Sequence, residues 1–211
     1  PDRRRSSDRD LRLSRDARHS VVYRNEQEFS SWPFYNGLWK LPDGDLLVGF
    51  KIVPCVYSDG GEVHHDNIAV SKGHIVTLRS RDNGASWDAS TLDRIMDYSR
   101  APDDVAAENP KDYSAEAPVD FTDKNVLVAS GAVPAHFVVT AKPWVNISTD
   151  GGRSWRRPVL MPMSGLHSLS GQASTMVRED GMSLVALTSV TPDGWTRRPA
   201  IYASPDGVQW N

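Results

Sequence analysis

Short apolar stretches alternate with polar turns along most of this chain, which is the pattern of β-strands. The apolar runs, such as residues 46–50 and 137–139, have the length of strands. Three further apolar stretches, at residues 74–78, 144–147 and 200–203, each lead directly into a turn sequence. The pattern predicts an all-β protein built from hairpins.

One turn sequence recurs after each of those three stretches. Residues 80–87 read SRDNGASW, residues 148–155 read STDGGRSW, and the shorter residues 204–210 read SPDGVQW. In a tight hairpin of this kind the Asp accepts hydrogen bonds from backbone amides, the Gly supplies a positive φ and the Trp packs over the turn. Three copies in one strand-turn-strand context indicate a repeated structural unit.

The residues that these turns share are therefore expected to be structural and not catalytic. The residues concerned are Asp82, Gly84, Trp87, Asp150, Gly152, Trp155, Asp206 and Trp210. Trp39 and Trp144 are also expected to pack between strands.

A second hairpin precedes each copy. Residues 41–48 read LPDGDLLV, residues 121–128 read FTDKNVLV, and residues 178–185 read REDGMSLV. Each unit therefore contains two hairpins, or four antiparallel strands A to D, as a blade of a β-propeller does. The alternative is a set of unrelated hairpins in a β-sandwich.

The Ser-x-Asp-x-Gly-x-x-Trp element resembles the Asp-box, or bacterial neuraminidase repeat, of the sialidase superfamily, over roughly residues 21–210. We term the three copies Asp-box hairpins. The resemblance implies a six-bladed propeller, of which residues 20–211 supply about three blades, with a strand at residues 20–24 placed to complete the last blade. It says less about activity, because Asp-boxes also occur in propellers that are not sialidases. A three-blade piece on its own is expected to aggregate or to pair through its exposed edges.

Residues 1–19 differ from the rest of the chain. The first twenty residues hold seven arginines and four aspartates, with Leu11 and Leu13 as the sizeable apolar residues, so we predict a disordered tail. The tail lacks the apolar core of a secretory signal, and a cytoplasmic and an exported location both stay open.

Charge and hydropathy narrow the classes of partner that are expected for this chain. The formal net charge of −3 gives no electrostatic reason to expect nucleic acid, although the arginine-rich tail leaves a nucleic-acid-binding arm as an alternative. No apolar run approaches the roughly 20 residues of a membrane span. A glycan or glycoconjugate is the partner that the sialidase resemblance implies.

Topology predicts where binding residues lie. In a four-stranded antiparallel meander the A-B and C-D turns lie at one end, and the B-C and D-A connections lie at the other. The Asp-box hairpins are C-D turns, so binding residues are expected in the longer connections at the opposite end. These connections are predicted at residues 51–72, 88–117, 130–137, 156–171 and 188–199, which include His64, His65, His136 and His167.

The densest chemistry is in the first of these connections, where residues 62–66 read EVHHD. Glu62, His65 and Asp66 suit general acid/base catalysis of glycoside cleavage, although a solvated loop without a role is the alternative. The sialidase resemblance implies Asp66 as the acid/base, with Asp59 as the second candidate. A metal site in this loop is less favoured because adjacent side chains point in different directions, and no cofactor is expected.

The substrate-binding residues are less clear. Sialidases hold the substrate carboxylate with arginines, the first of them shortly before the first A-B turn, and residues 31–37 of this chain contain none. Its absence argues against strict sialic acid hydrolysis, whereas Trp32, Tyr35 and Asn36 suit stacking on a sugar and hydrogen bonding to it. The other candidates are Lys51, His64, Glu116, His136, Gln172, Trp195, Arg197 and Arg198.

These patterns favour a carbohydrate-active enzyme of the sialidase superfamily, an exo-acting glycoside hydrolase with Asp66 as its acid. The alternative is a non-catalytic propeller that binds glycan or protein through the same end. Arginines in later blades, and a Tyr close to a Glu, are the features that would favour the enzyme.

Overall fold

The computed structural model describes residues 17–31, 37–55, 73–98, 117–133, 141–163, 165–193 and 196–211. All regular structure in these ranges is β-strand, arranged in three antiparallel sheets. The prediction of an all-β protein is confirmed. Within the same ranges, no helix has the length and apolar character needed to cross a membrane.

The first sheet is a meander whose first strand is divided. Its strands are β1 (Glu28–Ser31), β2 (Leu38–Lys40), β3 (Leu46–Pro54), β4 (His74–Ser80) and β5 (Asp88–Asp97). Both β1 and β2 pair with β3, which is followed by β4 and β5. The sheet therefore has the predicted order A, B, C, D, with strand A in two pieces.

The second and third sheets contain three described strands each. The second consists of β6 (Leu127–Val133), β7 (Lys142–Ser148) and β8 (Val159–Leu160), and the third of β9 (Ser168–Val177), β10 (Ser183–Val190) and β11 (Arg197–Ser204). By position they are strands B, C, D and strands A, B, C. Asn211 exchanges both backbone hydrogen bonds with Ala203, as a fourth strand beside β11 would. Closure into a ring and the number of blades stay predictions.

The Asp-box hairpins have the predicted local chemistry. Asp82 Oδ1 accepts the Ser86 amide, at 2.8 Å, and Gly84 has a φ of +86°. The sequence motif also contains a contact that was not predicted: the Ser80 hydroxyl accepts the Gly84 amide at 2.8 Å. The other two hairpins repeat this bond, from Gly152 to Ser148 and from Gly207 to Ser204. The serine therefore fixes the turn together with the aspartate.

The three sheets pack face to face in chain order. Leu47 lies in a buried cluster with Leu41 and Leu127, which joins the first sheet to the second. A larger cluster, which includes Val145, Leu169 and Tyr202, joins the second sheet to the third. Consecutive sheets thus share cores, as neighbouring blades do.

Polar contacts lock the Asp-box end of the first two sheets. Arg79 on β4 is buried, and its guanidinium bonds to Asp45 in the first A-B turn, at 3.1 Å, and to the Gly151 carbonyl of the second hairpin. Arg153 of that hairpin donates to Asp43, at 3.0 Å. The A-B and C-D turns therefore lie at one end, as predicted.

The predicted strand at residues 20–24 is wrong. This segment forms no strand and lies instead on the outer face of the first sheet, where Val22 and Tyr23 pack against a cluster that includes Phe50. The Ser20 hydroxyl donates to the Gly84 carbonyl at 2.5 Å. No strand in the described part of the chain is positioned to pair with the segment, so apolar packing decides where it lies. Residues 1–16 of the predicted tail fall outside the described residues.

Several predicted connections are shorter than the sequence suggested. Strand β5 takes up residues that were assigned to the connection after the first Asp-box, β9 begins at Ser168, and Arg197 lies on β11. Each of these strands continues past the last strongly apolar residue, because backbone pairing with the neighbouring strand extends it.

Candidate functional site

The connection that carries the predicted acid/base residues joins β3 to β4 at the end opposite the Asp-box hairpins. The Cα partners at its base are Ile52 and His74. Asp66, His65, Glu62, His64 and Asp59 lie in residues 56–72, outside the described residues. What the structure describes is therefore the base on which this loop stands.

Lys51 occupies that base. It lies on β3 opposite Ile75, its side chain is fully buried (0% exposed), and its Nζ lies 5.1 Å from the centre of the Tyr98 ring. Burial lowers the pKa of the Lys51 ammonium to about 8, because the surroundings disfavour the charged form. An ammonium over an aromatic face gains cation–π stabilisation, which offsets part of that cost.

The buried position of Lys51 changes its predicted role. The sequence predicted Lys51 as a cation near the mouth of the site, whereas the structure places it in the interior beneath the base of the loop. A fully buried ammonium acts on a ligand through its field or after a rearrangement. The proposed contact between Lys51 and substrate therefore stays a prediction.

Tyr98 connects the first sheet to the second at this same end. Its hydroxyl accepts a hydrogen bond from Trp144 Nε1, at 3.2 Å, and the two rings meet edge to face at 6.3 Å. Gly131 makes room for this pair, since a Cβ at Gly131 would lie 2.9 Å from the Tyr98 hydroxyl. The packing role predicted for Trp144, which is 0% exposed, is confirmed.

A histidine and a carboxylate flank the base of the loop. His74 begins β4 and pairs across the sheet with Asp97 at the end of β5. His74 Nδ1 lies 3.6 Å from Asp97 Oδ1, which is an ion-pair distance for a protonated imidazole and too long for a hydrogen bond. Both side chains are partly exposed, so they can respond to solvent and to a ligand.

Sequence reasoning missed Tyr98, His74 and Asp97. Asp97 and Tyr98 were placed inside a long connection, because the polar residues of β5 hide its strand character. Residues 93–97 read DRIMD and do not alternate, so the hairpin before them was the signal available.

The first strands of the first and third sheets are interrupted at equivalent levels. Ser31 pairs with Lys51 and Leu38 pairs with Val48, so only two residues of β3 lie between these two pairings. In the third sheet the register shifts between Ala186 and Thr188, where residues 171–173 oppose one residue of β10. Gln172 lies in the second interruption, in strand β9 and not at its end as predicted.

The remaining predicted binding residues are dispersed. Arg197 and Arg198 lie on β11 and are exposed. Trp32, Tyr35, Asn36, Glu116, His136 and Trp195 fall outside the described residues. The structure therefore brings Lys51 to the base of the candidate loop and leaves the other assignments as predictions.

The Asp-box aspartates lie at the other end of the sheets. Hydrogen bonds from the Ser86 side chain and amide, together with Ser80, lower the pKa of Asp82 to about 2. The Asp82 carboxylate is engaged in these hydrogen bonds, which stabilise the turn. Within the ranges that the structure describes, no group of three or more His, Cys, Asp or Glu side chains is placed to hold a metal ion.

Comparisons with known proteins show a likeness of fold. No protein-family model and no curated protein matches the chain. A protein of unknown function from Dyadobacter fermentans has a similar structure, with a TM-score of 0.60 and 17% identity; the match covers 90% of this chain and 56% of that one. At this identity the two proteins share a fold.

Glycoside hydrolases also occur among the similar structures. An endo-1,4-β-xylanase from Bacteroides thetaiotaomicron matches with a TM-score of 0.46 and 14% identity, over 87% of this chain and 56% of that one. An α-L-arabinofuranosidase from Fusarium graminearum, in complex with arabinobiose, matches with a TM-score of 0.47 and 15% identity, over 91% and 49%. The chain spans about half the length of these structures.

Proposed function

We propose that this chain forms part of a β-propeller that acts on carbohydrate, and that it is a glycoside hydrolase whose acid/base is Asp66. The observation that carries the proposal is the position of the β3–β4 connection. Its base lies at the end opposite the Asp-box hairpins, beside Lys51, Tyr98, His74 and Asp97. Lys51 and Tyr98 lie on the face toward the second sheet, and His74 and Asp97 lie on the opposite face, at the base of the connection with the densest acid/base chemistry in the sequence.

In the proposed reaction the Asp66 carboxyl group donates its proton to the glycosidic oxygen as the bond to the sugar breaks, water supplies the new hydroxyl group at the anomeric carbon, and the proton released from that water restores the protonated Asp66. Glu62 and His65, close in sequence, are proposed to set the protonation state of Asp66. Trp32, Tyr35 and Asn36, before β2, are proposed to hold the sugar by stacking and hydrogen bonding.

The substrate is proposed to be a sugar without a carboxylate that must be clamped. Residues 31–37 contain no arginine, so the bidentate guanidinium contact of a sialidase is not available there. Exo-sialidase activity is therefore the less favoured form of the proposal, and sugar-chain ends that present hydroxyl groups are favoured.

The test is turnover of a panel of aryl glycosides by the purified protein and by its Asp66→Ala variant. Loss of a general acid is expected to lower kcat by about 10²- to 10⁴-fold. Asp59→Ala is the matched control, since it removes the same group from the same loop. Undiminished turnover in Asp66→Ala, or an equal loss in Asp59→Ala, contradicts the assignment of Asp66.

A non-catalytic carbohydrate-binding propeller is the second candidate. The aromatic residues Trp32, Phe34, Tyr35 and Trp39, together with the missing arginine, favour it. Binding to a glycan array without turnover of any glycoside in the panel would select this candidate over the hydrolase.

A further inference from the structure

A cavity lies at the Asp-box end of the sheets, at the opposite end of the strands from the candidate loop. It has a volume of about 390 Å³ and opens between the first sheet and the second Asp-box hairpin. Its lining includes Asp45, Arg79, Arg81, Thr91, Asp93 and Arg153. The volume falls within the range of small-molecule sites in proteins.

An irregularity in β5 opens this cavity. Arg79 pairs with Asp88 and Thr77 pairs with Asp93, so four residues of β5 stand opposite one residue of β4. Asp88 stabilises the bulge, because its Oδ1 accepts both the amide and the hydroxyl of Ser90. The bulge pushes the outer strand away from the second hairpin and leaves space between them.

Each guanidinium group in the cavity lining is already paired with a carboxylate. Arg79 Nη1 lies 3.1 Å from Asp45 and Arg81 Nη1 lies 3.2 Å from Asp88. Arg153 Nη2 lies 3.0 Å from Asp43. In these pairs the positive charges of the lining are balanced.

Asp93 is the exception. It lines the cavity, is half-buried, and has no hydrogen-bond or ion-pair partner for its carboxylate among the residues that the structure describes. The three guanidinium groups, their partner carboxylates Asp43, Asp45 and Asp88, and the Asp93 carboxylate together carry three positive and four negative charges, a surplus of one negative charge; Asp43 and Asp88 lie outside the lining. The cavity therefore presents an acceptor that needs a donor, next to guanidinium N–H groups that act only as donors.

This balance of charges and of hydrogen-bond donors and acceptors indicates the chemical class of ligand that fits the cavity. Binding of an anion would be disfavoured by the surplus negative charge. A metal ion would need at least three acidic or imidazole ligands, and the described residues form no such group. A neutral sugar satisfies both sides, because each hydroxyl donates to a carboxylate and accepts from a guanidinium.

We propose that this cavity is a second saccharide-binding site, in which Asp93 and Arg81 hydrogen-bond to neighbouring hydroxyls of a neutral sugar. Leu92 is the apolar side chain among those that line it, so affinity is expected to come from hydrogen bonds. The site is independent of hydrolysis, and it would keep a carbohydrate chain attached to the protein at the end away from Asp66.

The test is an NMR titration of the ¹⁵N-labelled protein with xylotetraose, arabinotetraose and cellotetraose, and separately with sodium sulfate. A neutral tetrasaccharide is expected to shift the amide resonances of Ser90 and Gly152. Asp93→Ala and Arg81→Ala are each expected to weaken that binding about tenfold or more, since each removes a charged hydrogen-bond partner. Glu179→Ala and Arg178→Ala are matched controls on exposed residues of the third sheet and are expected to bind as the unaltered protein does.

Each other outcome overturns the proposal. These outcomes are binding of sulfate at the same amides, no shift with any of the three sugars, and sugar binding that Asp93→Ala leaves unchanged. The shifts in the unaltered protein decide the matter even where a variant folds poorly. Aryl glycoside turnover in Asp93→Ala is expected to be unchanged, so failure of this site and failure of the proposed hydrolase are distinguishable.

Discussion

Gly152 in the second Asp-box hairpin packs directly against Leu47 of the first sheet. Its φ is +73°, and a Cβ added there would overlap Leu47 Cδ2 and lie 3.3 Å from Leu127 Cδ1. Leu47 is 1% exposed and has little room to move. The same relationship recurs one sheet further on, where a Cβ at Gly207 would lie 2.7 Å from Ile147. The glycine of the motif therefore serves the contact between sheets as well as the turn.

Gly152→Ala is expected to destabilise the protein by roughly 2–4 kcal/mol, from backbone strain at positive φ and overpacking against Leu47. Gly44→Ala is the matched control: its φ is +92°, but nothing lies within 4 Å of the added Cβ. That variant is expected to lose only about 1–2 kcal/mol. Urea denaturation measures both, and equal losses would show that the contact with Leu47 contributes nothing.

Asp150 is expected to stabilise its hairpin in a pH-dependent way. Partial burial raises the pKa of Asp150, but hydrogen bonds from Ser154, Ser148 and the Arg153 amide outweigh it and leave the pKa below its ordinary value. Because the folded-state pKa is depressed, the stabilisation is present above about pH 4 and is lost as the pH falls through the folded-state value.

Asp150→Ala is accordingly expected to cost roughly 1–2 kcal/mol at pH 7, as the loss of a helix-capping carboxylate does, and progressively less below pH 4. Thermal denaturation between pH 7 and pH 2.5 measures this difference. Glu179→Ala removes an exposed carboxylate from the turn between β9 and β10 and is expected to change little. A difference that stays constant down to pH 2.5 would contradict the role of the ionised carboxylate.

The sequence predicted the hairpins well because their chemistry is local. Ser80 bonds to both Asp82 and Gly84 within a single turn, and the strands before these turns are apolar. The bulge in β5 and the interruption between Ser31 and Leu38 were not predicted, since each depends on the register between two strands. Register is fixed by packing on both faces of a sheet, and this packing cannot be read from one amino-acid sequence.

For the candidate site, only the position of the β3–β4 connection is confirmed. Topology predicted this connection at the end opposite the Asp-box hairpins, and the structure places it there. The burial of Lys51 was not predictable, because it depends on Tyr98, which comes from a different part of the chain. An alternating pattern says that Lys51 and Val53 share a face of β3 but not what covers that face.

The segment before β1 is expected to contribute to stability through Tyr23. Its ring packs against Phe50 with 5.6 Å between ring centres, and its hydroxyl donates to Glu28. Tyr23→Ala is expected to cost about 2–3 kcal/mol, as truncation of a half-buried aromatic residue does. Val21→Ala is the control on the same segment, since Val21 is 74% exposed. Denaturation midpoints that are the same for both variants would mean that the segment is not held on the sheet in solution.

Lys51 offers a test of the buried base of the candidate loop. Its folded-state pKa of about 8 lies below the value of about 10.4 expected in the unfolded chain, so the unfolded state binds more protons between these two values. Stability is therefore expected to rise with pH from about 8 to about 10.5. Lys51→Met keeps the length of the side chain and removes its charge. It is expected to remove this rise with pH, because no group that titrates between these values then remains at this position. Tyr98→Phe, which keeps the ring beneath the ammonium, is expected to retain the rise of stability with pH. A pH profile that is the same with Met and with Lys at this position would show that the ammonium is not desolvated in the folded protein.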